Sequence, residues 1–239
     1  MTGNSDRKAF IQSSTSILPV PLTPEIRLHL ADDETPLWRM SEEDLAELGL
    51  PSPFWAFAWS GGQALARYCL DHPDIIRGKR VFDFASGSGL VAIAACLAGA
   101  CEVTACDIDP LATEAIGLNS ALNGNAPERL TATDRNILEA AEMEILLQDP
   151  PDVFLAGDVF YDQAMSKDVL ALLDALSQRD CLILIGDPKR SYFPDASLEE
   201  LASYSIPRTR ALEDADIQDT RVWRFNHMPD NKKAPSTGA

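Results

Sequence analysis

Apolar positions along the chain fall into short runs rich in valine, isoleucine, leucine and phenylalanine, separated by longer segments with helical spacing. Runs at residues 81–84, 103–106, 130–133, 153–156 and 182–185 have the length and composition of buried strands. Between them, residues 90–100, 111–121, 137–147 and 164–176 place apolar side chains on one helical face. Strands alternating with helices predict a mostly parallel sheet covered by helices on both faces. After the fifth strand the pattern changes. A helix is predicted near 198–201, then extended segments at 203–211 and 221–225 joined by the polar stretch 213–219. The fold class expected is therefore α/β: a Rossmann-like seven-strand sheet, mostly parallel, with a terminal antiparallel hairpin.

Residues 1–50 read as a leader rich in Pro and Thr, with one strand-like stretch at 26–30 and a short helix at 42–48. Ser41 is placed to cap that helix, Glu42 and Glu43 favour the positive end of its dipole, and Gly49 followed by Pro51 stops it. The main domain is expected over 51–228, beginning with the aromatic segment 53–62 and a helix to about residue 70. Residues 229–239 carry Lys, Pro, Ser and Gly with nothing to bury, and are expected to be disordered.

At 239 residues and 46% hydrophobic, the chain can bury one substantial core. Its 37 acidic against 20 basic residues give a net charge of −17, which opposes phosphate backbones and anionic membranes and favours basic protein segments as partners. No stretch reaches the apolar length that spans a bilayer, and residues 1–10 are polar, so a cytoplasmic protein is expected. Cys69, Cys96, Cys101, Cys106 and Cys181 contain no C-x-x-C pair and read as packed, reduced thiols. His29, His72 and His227 stand singly, building neither a metal site nor a triad.

The chemistry concentrates after the first strand of the alternating series. Val81-Phe82-Asp83-Phe84-Ala85-Ser86-Gly87-Ser88-Gly89 places an acid and a glycine turn at a strand's carboxyl end, and Asp107 ends the next strand about 20 residues later. Gly87 and Gly89 permit a tight turn under a ligand, with Ser86 between them and the strand, and Asp107 can accept hydrogen bonds from ribose hydroxyls. Two cofactor classes use this layout. The string Gly87-Ser88-Gly89-Leu90-Val91-Ala92 fits a dinucleotide fingerprint, but Asp83 would set an anion against a diphosphate. The same carboxylate suits the ammonium and sulfonium of S-adenosylmethionine.

Seven strands ending in an antiparallel hairpin, with an acidic glycine loop after the first, resemble the seven-strand class of S-adenosylmethionine-dependent methyltransferases. Within that class, residues 54–100, Asn136-Ile137-Leu138, Gly157-Asp158-Val159-Phe160-Tyr161-Asp162 and Ile185-Gly186-Asp187-Pro188 resemble the lysine methyltransferases of electron transfer flavoprotein β-subunit. The likeness runs over about 54–225. It implies protein-lysine N-methylation, an electron transfer flavoprotein β-subunit substrate, and an acid-x-x-aromatic motif, Asp158 to Tyr161, with Asp158 essential to activity. The chain departs from the class at Ala85, where a glycine is usual. Ribosomal protein lysines or a small amine such as nicotinamide are the alternative acceptors, and a noncatalytic interaction protein of the same fold is the alternative of another class.

On physical grounds Asp158 and Tyr161 follow the fourth of these strands at its carboxyl end, where open α/β sheets bind ligands. Asp158 can attract and orient an ammonium while Tyr161 walls the channel; a helix-capping Asp158 over a packed Tyr161 is the competing reading. The likeness also implies that Trp59 contacts the donor, though the cluster Phe54, Trp55, Phe57, Trp59 equally suits core packing. Asn136 follows the third strand where the class reads adenine, with Asp134 as competitor. Asp187 follows the fifth strand on the same rim and is the candidate substrate contact, although Asp-Pro is also a plain turn signal. Asp149-Pro150-Pro151 partly matches a signature of nucleic-acid base methylation, but Asp152 stands where an aromatic is needed and the tripeptide precedes its strand, at the wrong end of the sheet.

Overall fold

The computed structural model describes residues 4–47, 49–124, 129–194, 197–207 and 217–227. Helix α1 (Asn4–Ser14) leads into an antiparallel hairpin of β1 (Ser16–Val20) and β2 (Thr23–Leu30), then short helices α2 (Pro36–Arg39) and α3 (Glu42–Glu47). Helix α4 (Ser60–Asp71) precedes the alternating series β3 (Arg80–Phe84), α5 (Leu90–Leu97), β4 (Glu102–Cys106), α6 (Pro110–Leu122), β5 (Leu130–Thr133), α7 (Ala140–Gln148), β6 (Val153–Gly157), α8 (Gln163–Ser177) and β7 (Leu182–Asp187). Strands β8 (Leu198–Pro207) and β9 (Ile217–Phe225) complete it.

The large sheet has the order β5-β4-β3-β6-β7-β9-β8, with β9 antiparallel to both β7 and β8 and the other neighbours parallel. Strand order reverses between β3 and β6, so their carboxyl ends flank the crevice where such sheets hold ligands. Both faces are apolar. On one, Leu65, Val91 and Ile93 are buried with Val103 and Leu155; on the other, Phe154, Phe160 and Leu172 fill the space beneath α8. Phe82 and Phe154 stack with ring centroids 5.6 Å apart. Each such ring removed from water contributes about 1.5–3 kcal/mol.

Several expectations need correction. Helix α1 and strand β1 lie in a segment expected to hold only the strand-like stretch at 26–30. Helix α1 is largely polar, and its fully buried Ile11 packs with Leu111, Ala112 and Ala115 of α6. Strand β1 contains Pro19, which suits an edge position, and exists through pairing with β2. The hairpin is tied to α6 by the His29 amide donating to Asn119 Oδ1 at 2.7 Å and the Arg27 amide donating to Asn123 Oδ1 at 3.0 Å. The helix expected at 198–201 is instead the start of β8. Leu, Glu and Ala favour helix locally, but the register with β9 decides. The helix expected from 137 begins at Ala140, after a turn in which the Glu139 amide donates to the Asn136 carbonyl. The capped helix at the end of the leader is present, with the Asp44 amide donating to Ser41 Oγ at 3.1 Å. The expected tail at 229–239 lies outside the described residues, as does Leu48. Among the described residues no helix is long and apolar enough to cross a membrane.

Candidate active site

A cavity of about 870 Å³ opens at the carboxyl ends of β3, β4 and β6. Trp59, Gly87, Asp107, Asn136, Asp158 and Tyr161, all singled out from sequence, line it. Asp107 Oδ2 accepts the Gly87 amide at 2.8 Å and Oδ1 accepts the Asp109 amide at 3.0 Å. Each oxygen then keeps lone-pair capacity toward the cavity, as recognition of a diol requires. Burial holds the Asp107 carboxyl above the ordinary carboxylate range, against the pull of those two amides. Asn136 reaches the cavity while its Oδ1 accepts the Leu138 amide at 3.3 Å. Asp134, its competitor, is exposed and does not line the cavity.

Asp83, Ser86 and Gly89 stand behind the wall. Asp83 is 1% exposed; its Oδ2 accepts the Ser86 hydroxyl at 2.5 Å and the Ala92 amide at 3.0 Å. The carboxylate expected to meet a ligand cation therefore braces the turn and caps the first turn of α5. Burial pushes its carboxyl up to about 7, with the nearby Asp107 charge adding to the effect. Gly89, at φ +81, is the N-cap of α5, where an added Cβ would lie 3.1 Å from Ile116 Cγ1. Gly87 has φ +54. Ala85 occupies the left-handed region at φ +52, so its methyl group costs backbone energy where glycine would not.

The Asp158 side of the cavity is built by a close approach of four glycines. A Cβ on Gly61 would clash with the Gly186 carbonyl and lie 2.6 Å from Asp158 Oδ2; one on Gly186 would clash with the Gly61 carbonyl. One on Gly157 would lie 3.0 Å from the Gly62 backbone. The N-terminus of α4 thus rests directly on the ends of β6 and β7, and the Gly62 amide donates to Asp158 Oδ2 at 2.9 Å. Asp158 itself is strained, at φ +58. Its Oδ1 accepts Arg190 Nε at 3.0 Å and Nη2 at 2.5 Å. Burial raises the Asp158 carboxyl from its ordinary range, opposed by Arg190 and the glycine amides. The cap of α8 is Asp162, whose Oδ1 accepts the Met165 amide at 2.8 Å, so Asp158 does not play that part.

Tyr161 is half exposed and meets Phe54 at 5.8 Å between ring centroids, forming an aromatic rim with Trp59. Trp59 donates its indole N–H to the Phe54 carbonyl at 2.9 Å, and its ring lies under the Arg190 guanidinium, 5.5 Å from the centroid. Asp187 is not on the rim. It is fully buried, and its Oδ1 accepts the Arg190 amide at 2.7 Å, shaping the turn after β7. Burial pushes its carboxyl up to about 7. Asp149 lies at the opposite end of the sheet, clasping Arg80 at the start of β3, which removes Asp149-Pro150-Pro151 from the site.

Comparison with known proteins agrees with this geometry. A model of the ribosomal protein L11 methyltransferase family (PrmA) matches residues 61–154. The electron transfer flavoprotein β-subunit lysine methyltransferase of Danio rerio is 38% identical over 237 residues, covering 96% of this chain and 88% of the relative. The chain belongs to that lysine methyltransferase family. The Homo sapiens member is 38% identical over 232 residues, covering 91% of this chain and 81% of its own. A candidate methyltransferase solved in complex with SAH shares the fold, with a TM-score of 0.50 at 12% identity over 70% of this chain and 50% of its own.

One cavity residue, Arg190, is passed over by the pattern of strands and helices. Arg190 lies in the polar turn Asp187-Pro188-Lys189-Arg190, which carries no periodicity. The available signal is a cation just past the carboxyl end of a parallel strand that neighbours the acidic motif. Asp168 and Glu139 also line the cavity and were not singled out.

Proposed function

We propose that the chain is an S-adenosylmethionine-dependent protein-lysine N-methyltransferase whose acceptor is a lysine of electron transfer flavoprotein β-subunit. The observation that carries the reading is one cavity holding both a diol-binding carboxylate, Asp107, after β4 and the buried motif carboxylate, Asp158, after β6, on either side of the end of β3. The donor fits on the chain's own terms. Asp107 has lone pairs left for the ribose, the turn at Gly87 brings backbone close, Asn136 offers an amide beside them, and the volume suits a nucleoside-sized ligand. When bound, the donor supplies a methyl carbon activated by its sulfonium.

The remaining work belongs to this chain: to align the acceptor amine, exclude water and accommodate loss of its proton. Tyr161, Phe54 and Trp59 form an aromatic mouth that suits a long aliphatic stem with a cationic head. Asp158 lies below as the anion that orients the ammonium. The match to the ribosomal protein L11 methyltransferase family ends at residue 154, before this motif, and so bears on the donor half and not on the acceptor. The acidic charge favours a protein acceptor over nucleic acid. The buried free thiols Cys69, Cys96, Cys106 and Cys181 suit a reducing compartment such as the cytoplasm.

Incubation with labelled donor and, separately, intact electron transfer flavoprotein β-subunit, a ribosomal protein fraction and nicotinamide tests this reading. Label on lysines of the flavoprotein subunit is expected. Efficient labelling of nicotinamide or ribosomal proteins, with none on the flavoprotein subunit, would overturn the substrate assignment.

A further inference from the structure

Asp158 has no evident room for a lysine. Its Oδ2 is held by the Gly62 amide, with Gly61 adding a second backbone donor, and its Oδ1 receives two N–H groups of Arg190. A carboxylate offers about four lone-pair sites, and four donors are aimed at them. The backbone donors are fixed parts of the α4 terminus. Arg190 is the donor that lines the cavity.

We propose that Arg190 is a displaceable cation that occupies, in the free enzyme, the seat on Asp158 that the acceptor lysine takes. The inference rests on the reading of Asp158 as the acceptor's anion. Only the side chain needs to move. The turn that bears it is anchored by the Arg190 amide on Asp187 Oδ1, by the Phe193 amide on the Arg190 carbonyl at 2.9 Å, and by the Tyr192 amide on the Phe160 carbonyl at 3.2 Å. The guanidinium already rests over the Trp59 ring at the cavity wall, a surface that accepts a cation's face. The carboxylate of Asp168 lines the same cavity, so a displaced guanidinium stays among acids.

Electrostatics makes the exchange one for one. Asp158 is 8% exposed, and leaving it unpaired costs far more than swapping one cation for another. Two cations sharing Oδ1 would repel in a poorly solvated site. Arg190 therefore leaves as the lysine arrives, and the energy for its departure comes from the rest of the acceptor's contacts with the enzyme. A lysine on a docked protein meets that demand better than a free amine does, so the pair acts as a filter against small amines.

The test measures initial rates with a short lysine peptide for wild type and for R190A, with donor binding and thermal unfolding as controls for the fold. Removing the competitor should lower KM for the peptide roughly fivefold or more, the factor that corresponds to about 1 kcal/mol. Methylguanidinium, which can refill the vacated seat, should then inhibit R190A competitively with peptide while wild type responds weakly. A fall in kcat with unchanged KM, restored by methylguanidinium, would overturn the proposal by showing that the guanidinium is needed on Asp158 during transfer. If R190A does not bind donor as wild type does, R190Q carries the same comparison with the side-chain length kept. Normal methylation by D158N would instead remove the underlying reading of Asp158, an outcome separate from either result at Arg190.

Discussion

The Gly87 amide donates to Asp107 Oδ2 at 2.8 Å, joining the glycine turn after β3 to the carboxylate that ends β4. One hydrogen bond thus sets both the shape of the turn and the orientation of the carboxylate proposed to bind the donor's diol. Asp107→Ala removes the proposed ribose acceptor and frees the turn together. Donor affinity is expected to fall by about 1–3 kcal/mol, read by calorimetry, with the fold retained. Unchanged affinity would show that Asp107 does not contact the donor.

Gly61→Ala forces a methyl group into the Gly186 carbonyl and the Asp158 carboxylate. Both neighbours belong to strand ends that cannot yield without opening the sheet. A loss of about 1–3 kcal/mol of stability is expected, measured by denaturant unfolding, together with reduced methyl transfer. Gly62→Ala, whose Cβ would meet only Val91 Cγ2 at 3.9 Å, is expected to cost less. Equal effects at the two positions would mean the close approach is not a constraint.

Asp83 is expected to contribute to the pH dependence of stability, as one of several buried carboxyls raised at this end of the sheet. Its carboxyl sits near 7 in the folded protein and at the ordinary value of 3.8 when exposed, so between those values the native state binds the extra proton. Stability is then fully present below about pH 4 and is lost as pH rises toward 7, by at most about 1.4 kcal/mol per pH unit from this group. Asp83→Asn, which cannot ionise, is expected to flatten the decline seen in unfolding between about pH 4 and 7. An unaltered slope would assign the dependence elsewhere; Asp187, also pushed up to about 7, is the next residue to substitute.

With 37 acids against 20 bases, capture of a lysine-bearing protein should be steered by charge. Below saturation, methylation of intact flavoprotein β-subunit is expected to slow as ionic strength rises past about 0.1 M, where screening reaches about 10 Å. A rate insensitive to salt would place recognition in apolar contacts such as Phe54 and Tyr161 instead.

The alternating core was readable because buried parallel strands are continuous apolar runs, and the glycine loop, Asp107 and Asp158 then fall at strand ends by position alone. Other features depend on long-range pairing. Residues 198–201 look helical locally, and only the register of Leu198 with Phe225 and Glu199 with Arg224 makes them a strand. Strand β1 needs β2, and α1 needs the apolar face of α6 beneath Ile11. Asp83 was legible as an important acid but not as a buried brace, because the same spacing serves a ligand contact and a helix cap. Asp187 is misplaced for a related reason: it ends β7 at the carboxyl edge of the sheet, but the whole residue is buried and its carboxylate accepts the Arg190 amide. Arg190 joins Asp158 across 32 residues, a pairing no local pattern encodes.

The most direct test of the account is to compare wild type with Asp158→Asn on intact electron transfer flavoprotein β-subunit, using mass spectrometry of its lysine peptides and calorimetry of the donor. The isosteric amide keeps an oxygen for the Gly62 amide but loses the charge proposed to orient the ammonium. The account predicts methylated lysines with wild type, and with the variant an essentially unchanged donor affinity and at least a roughly hundredfold slower transfer, a loss of about 2.7 kcal/mol or more of transition-state stabilisation. Transfer by the variant at the wild-type rate would contradict it.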